Sequence, residues 1–113
     1  MVIRHLPYYS EQKVESGNVV EEMIKDDTTQ GLGTEGKSGF IEVYDAELAT
    51  TYAEIKIFDG SNESVPIPLL LGCAISYDYW DHIWAEIVTI KAVGGWIKYR
   101  VHWVPGIPEE EKA

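Results

Sequence analysis

The 113-residue chain is short of several things, and each shortage excludes something. It has one cysteine, so no disulfide forms within the chain and no paired CxxC zinc spacing exists. It has nine Lys and Arg against nineteen Asp and Glu, a formal charge of −10. Phosphate recognition runs on clustered basic side chains, so nucleic acid is excluded as the expected partner. An anionic membrane surface is excluded on the same ground. No apolar run approaches the roughly 18 residues that span a bilayer, and no signal-peptide pattern opens the chain. The expectation is synthesis in the cytoplasm without a signal peptide, with residence in a virus particle as one destination. Cys73 sits within Leu69-Leu70-Leu71-Gly72-Cys73-Ala74-Ile75 and is expected to be a buried, inert thiol of a reducing compartment.

What is present is a single domain's worth of core-forming residues: 45% of the chain is apolar and 12% aromatic. The charge is uneven. Residues 1–63 hold thirteen acids and five bases, whereas 64–105 hold three of each, all four Trp and the only Cys. The reading is therefore a solvated first half and a buried or partner-facing second half. Residues 1–38 are read as an N-terminal arm ending in a Gly-rich loop, 39–105 as a β domain and 106–113 as an acidic tail. In the arm, Asn18 to Asp27 suits either an amphipathic helical stretch or a short edge strand. Tyr8, Tyr9, Val19, Val20, Met23 and Ile24 are its expected contacts with a neighbouring subunit.

From Phe40 the residues alternate in the period of a strand, as they do in Thr51-Tyr-Ala-Glu-Ile-Lys-Ile-Phe-Asp59. Asp59-Gly60-Ser61-Asn62 reads as a turn. Leu69 to Tyr77 reads as a buried central strand. Two β-branched runs flank Gly94-Gly95, a hairpin signature that sets Ala92 opposite Ile97, Ile90 opposite Tyr99 and Val88 opposite Val101. The expected fold class is all-β, a small antiparallel sandwich or barrel with a polar, extended arm. The alternative is an α+β fold with one helix over 78–93, since Tyr79, Trp80, Ile83, Trp84, Ile87 and Val88 also share one helical arc.

Chemical motifs are weak. Gly31 to Ser38 matches GxxxxGK[ST], the phosphate loop whose amides wrap phosphates and whose Lys reaches them, but no buried strand precedes it and no helix pattern follows. Asp78, Asp81 and His82 are too close in one segment to converge on a metal unaided. Asp59-Gly-Ser61-Asn-Glu63 spaces oxygens as a calcium loop does but lacks that loop's glycine and its closing glutamate. There is no nucleophile elbow. The expectation is a protein that is not an enzyme, with no cofactor and no metal.

Seven Tyr and Trp crowd the 27 residues from Tyr77 to Trp103. Tyr79, Trp80, Trp84 and Trp96 are the candidate interface, because large aromatics at exposed turns anchor interfaces. The expected function is a structural or interaction subunit of a larger assembly, such as a capsid decoration or connector protein of a virus particle. Its partners are other protein subunits, with homo-oligomers expected. The alternative is a carbohydrate-binding β-sandwich module using Tyr79, Trp80, Asp81 and Trp84.

Overall fold

The computed structural model describes residues 7–26, 32–78, 81 and 83–105. They form eight strands: β1 (Tyr8–Val14), β2 (Val19–Met23), β3 (Gly36–Ala46), β4 (Tyr52–Phe58), β5 (Ile67–Leu70), β6 (Ala74–Tyr77), β7 (Ile87–Val93) and β8 (Ile97–Pro105). They make two antiparallel four-stranded sheets, in the orders β1-β8-β3-β6 and β2-β7-β4-β5. The all-β expectation is met, and the described residues contain no α-helix. The helix over 78–93 is corrected: its second half, Ile87–Val93, is strand β7. The β-branched run Ile87-Val88-Thr89-Ile90 packs better on a pleated sheet than in a helix.

The pairing has a simple logic. β1 pairs with β8, β2 with β7, β3 with β6 and β4 with β5. The chain is thus one long antiparallel hairpin of strand pairs, tipped at the β4–β5 turn and wound around a common core. Two further pairings, β3 with β8 and β4 with β7, complete the sheets. This winding is that of a jelly roll.

Residues from alternate positions of every strand meet between the sheets. Ile41, Val43, Ala53, Ile55, Val88, Ile90, Ala92, Ile97, Tyr99, Val101 and Trp103 are all fully buried there. The alternation of the strands is therefore used as expected, with one face in and one face out.

The hairpin expected at Gly94-Gly95 is corrected. β7 and β8 lie in different sheets, so the glycine pair makes an arch from one sheet to the other. Val88, Ile90 and Ala92 face Ile97, Tyr99 and Val101 across the core instead of beside them. Each strand gains two neighbours this way: β7 lies between β2 and β4, and β8 between β1 and β3. A hairpin alone would have left both core strands with one free edge each. Glycine suits the arch for a steric reason, since a Cβ on Gly95 would lie 2.6 Å from Thr51 Oγ1. Thr51 Oγ1 in turn donates to Gly94 O at 3.1 Å. The neighbouring arches are tied to the same place: Glu47 N–H donates to Trp96 O at 2.9 Å and Gly17 N–H to Ala92 O at 2.9 Å.

The stretch read as an arm is extended, but it is not apart from the core. Residues 8–14 and 19–23 are strands β1 and β2, one at the edge of each sheet. Tyr8, Val14 and Ile24 are buried in the core and Val20 packs against it. The polar residues between them are why the segment reads as an arm, and of the two readings of Asn18 to Asp27 the edge strand holds, as β2.

Candidate functional site

The sandwich has two open sides, one bounded by β1 and β2 and the other by β5 and β6. They are built from different chemistry. β1 turns Tyr8, Ser10, Gln12 and Val14 toward the interior and Tyr9, Glu11 and Lys13 outward. β2 turns Val20 and Glu22 inward and Val19, Glu21 and Met23 outward. Glu22, 1% exposed, is the centre of the inward set. Its carboxylate accepts from the hydroxyls of Tyr8 and Tyr99, from Ser10 Oγ at 2.9 Å and from Gln12 Nε2 at 3.0 Å. A buried charge is costly unless its lone pairs are satisfied, and here four neutral donors satisfy them. Burial first, then the hydrogen bond to Glu22 and its negative charge, push both phenols well above the ordinary tyrosine range. The network joins β1 and β8 of one sheet to β2 of the other and closes this side. Of the expected arm contacts, Tyr8, Val20 and Ile24 are thus spent on the core, and Tyr9, Val19 and Met23 stay at the surface.

The β5–β6 side is bare. The fourteen residues from Ser64 to Tyr77 carry no charged side chain. Leu69 to Tyr77 among them was expected to be a buried central strand, and that expectation is corrected. The run breaks at Gly72 into two four-residue edge strands, one in each sheet. Leu69 points into the core, whereas Val65 is 77% exposed and Leu70 57% exposed, with Leu71 and Cys73 exposed beside them. Cys73 is therefore not a buried thiol. The turn is pinned to β3, since Gly72 N–H donates to Val43 O at 2.8 Å and Val43 N–H to Cys73 O at 3.2 Å. The signal in the sequence lay in Pro66 and Pro68, because a residue without N–H is confined to sheet edges. Among the described residues no further strand lies beside either edge, and an unpaired edge with outward leucine is a template for pairing with another chain.

The aromatic candidates divide. Tyr79 and Trp80 lie outside the described residues. Trp96 is half-buried at the β7–β8 arch, with Lys13 Nζ 4.8 Å and Lys98 Nζ 5.7 Å from its ring. Trp84 is 39% exposed and sits at the opposite end of the sandwich. The structure does not bring Trp84 and Trp96 together into one patch. They are served by different loops, Trp96 by the arch end and Trp84 by the β6–β7 connection.

The GxxxxGK[ST] match is no phosphate loop. Gly36, Lys37 and Ser38 are the first residues of β3, and no helix follows. Lys37 is 3% exposed, with its Nζ 4.1 Å from the Trp84 ring centre. Asp78 and Asp81 cap each other's turn: Asp78 N–H donates to Asp81 Oδ2 at 2.7 Å and Asp81 N–H to Asp78 O at 3.1 Å. His82 lies outside the described residues. Among the described residues no three His, Cys, Asp or Glu side chains converge as a metal site.

One concave site lies at the Trp84 end. It is a cleft of about 220 Å³ lined by Ile57, Ile67, Tyr77, Ile83 and Trp84 together with Asp59, Asn62, Glu63 and Ser64. Its polar wall is the β4–β5 turn, and that wall is held by its own hydrogen bonds. Asp59 Oδ1 accepts from Ser61 N–H at 2.9 Å and from Asn62 N–H at 2.7 Å. Those amides, Asn62 first, hold the Asp59 carboxyl below the usual range. Ser64 Oγ accepts from Ile57 N–H at 2.9 Å, and Ser64 N–H donates to Ile57 O at 2.9 Å. Gly60 has φ +100° and lets the turn press against Glu86, whose Oε2 would be 1.9 Å from an added Cβ. On the other side Tyr77 stacks on buried Trp103, ring centres 6.1 Å apart at 21°. The segment read as a turn at Asp59–Asn62 is an Asx-type turn forming one wall of a cleft. Sequence reasoning placed Trp84 near function but did not join it to residues 57–67, because the β4–β5 turn and the β6–β7 connection meet only through the wound topology.

No family model matches the chain, and no curated protein or solved structure matches it.

Proposed function

We propose that the chain is a non-enzymatic interaction subunit that joins an assembly through its β5–β6 side, with a second copy of itself as the neighbour. One observation carries the reading: the one long uncharged run of the chain, Ser64 to Tyr77, lies at the free edges of both sheets with Val65, Leu70 and Leu71 outward. Exposed apolar residues that stand singly need no explanation, but a run of them along unpaired edges marks an interaction surface. The charge argues for the kind of neighbour. Two molecules of −10 repel over most of their surfaces, and this uncharged side is where they can approach without like charges opposed. Antiparallel addition of β6 to β6 about a two-fold axis would continue one sheet across both molecules, using the same patch twice.

Decoration and connector proteins of virus particles are assembly subunits of this general sort, and such a role is the broader form of the proposal. The jelly roll itself does not choose it, since capsid and lectin domains share that winding and a fold does not fix a function. The test is mass in solution by sedimentation or light scattering over a range of concentrations. A dimer or larger closed oligomer is expected. A monomer at every concentration up to several hundred micromolar, on the order of weak transient contacts, would contradict self-association.

A further inference from the structure

The cleft at the Trp84 end is a second site that adjoins the β5–β6 side, sharing Ser64, Ile67 and Tyr77 with it. We infer that it binds a neutral saccharide, stacked on Trp84 and hydrogen-bonded to the Asp59–Ser64 turn. The wall is divided as such a ligand requires. Trp84, Tyr77, Ile57, Ile67 and Ile83 give the apolar part of the lining, and Asp59, Asn62, Glu63 and Ser64 give its hydrogen-bonding groups. A sugar ring has the same two characters, with C–H groups on its faces and hydroxyls around its rim. Pockets that bind small molecules are mostly apolar with a few placed polar groups.

The polar groups are fixed before any ligand arrives. Asp59 is anchored through Oδ1 by two backbone amides, and a carboxylate has about four acceptor sites in all. Glu63 pairs with Lys56, 3.7 Å away at the half-exposed rim. An exposed pair of that kind contributes little and yields readily. Ser64 Oγ accepts from Ile57 N–H, and its hydroxyl hydrogen can donate to a ligand oxygen. Two carboxylates accepting and one hydroxyl donating match the mixed donors and acceptors of a polyol.

Charge decides against a cation. An aromatic face between two acids would ordinarily suit an ammonium group. Here Lys37 Nζ already lies over the Trp84 ring at 4.1 Å, and Lys37 is buried and takes no part in the cleft wall. A ligand cation on the cleft side of the indole would face a second cation through the same ring. A neutral ring meets no such opposition. Acidic sugars are disfavoured too, because Asp59 and Glu63 both line the cleft.

The test is binding of the full chain to an array of immobilised neutral and acidic oligosaccharides, followed by titration of the retained ones with tryptophan fluorescence. Retention on neutral members is expected. Trp84→Ala should weaken that binding by at least about tenfold, the size of a lost aromatic stacking contact. Glu63→Gln, on the exposed rim, should weaken it less while leaving the fold intact. No retention on any neutral member would overturn the inference. So would binding that survives Trp84→Ala in full, retention on acidic members alone, or saturable quenching by a trimethyl-lysine peptide in place of sugars. Sugar retention reads this site and oligomer mass reads the β5–β6 side, so a failure of one is told from a failure of the other even though the two adjoin.

Discussion

The two sides of the sandwich answer the same problem in opposite ways. Both end in strands with unpaired backbone groups, the standing hazard of an open sheet. On the β1–β2 side the strands carry Glu11, Lys13 and Glu21 outward and are locked from within by the Glu22 network. On the β5–β6 side the strands are four residues each, carry no charge and turn leucine outward. Charged edges discourage pairing with another chain, and the first side has them. The second side lacks them, and Pro66 and Pro68 guard only its β5 half. The difference teaches that this chain protects one edge and leaves the other available.

The largest expected effect falls on the protected side. Glu22→Ala leaves the hydroxyls of Tyr8 and Tyr99 without their acceptor inside the core, and each unsatisfied buried group costs about 1–3 kcal/mol. Urea unfolding should show a loss of about 3 kcal/mol or more, with the oligomer mass of the remaining folded protein unchanged. A loss under about 0.5 kcal/mol, the range of ordinary surface substitutions, would mean that the network does not close this side.

The same network sets an alkaline limit. The native phenols of Tyr8 and Tyr99 are held protonated by burial, by the bond to Glu22 and by its charge. In the unfolded chain they ionise near the ordinary value of about 10. Their contribution is therefore whole below that pH and is lost as pH rises above it. With both phenols involved, stability should fall by roughly 2.7 kcal/mol per pH unit above about pH 10. Tyr8→Phe should halve that share of the slope in pH-dependent urea titrations, and an unchanged slope would separate Tyr8 from the effect.

On the bare side the sign of the comparison reverses. Leu70→Lys with Leu71→Lys changes two surface side chains, 57% and 38% exposed, so stability should change by no more than about 1 kcal/mol. Association should weaken at least about a hundredfold, as like charges meet across the two-fold axis. The smallest effect is expected from the matching change on the other side. Val19→Lys with Met23→Lys, also exposed, should leave both stability and association where they were. Equal losses from the two pairs in sedimentation would erase the distinction between the sides.

Much of the fold is legible in the sequence, and the illegible parts have physical causes. The alternation from Phe40 to Phe58 and the inward set Val88, Ile90, Ala92, Ile97, Tyr99, Val101 and Trp103 are read correctly from period alone. Pairing is not, because a hairpin and an arch bury the same residues and differ only in which strands exchange hydrogen bonds. β1 is hidden for a different reason: its inward positions include Ser10 and Gln12, which look like coil until Glu22 arrives from β2 to receive them. Leu69 to Tyr77 misleads in the opposite sense, since an apolar run suits both a buried strand and an exposed edge. The cleft is the least legible of all. Residues 57–67 and 77–84 reach it from separate stretches, and only the winding of the strands joins them.

Cys73 offers the most direct measurement, because the only cysteine of the chain lies exposed on the side in question. Its alkylation by a maleimide should be fast in dilute protein and slow progressively as concentration rises, in step with the growth in mass. Alkylation at one constant rate while the mass increases would show that the molecules associate through some other surface, and would contradict the β5–β6 assignment.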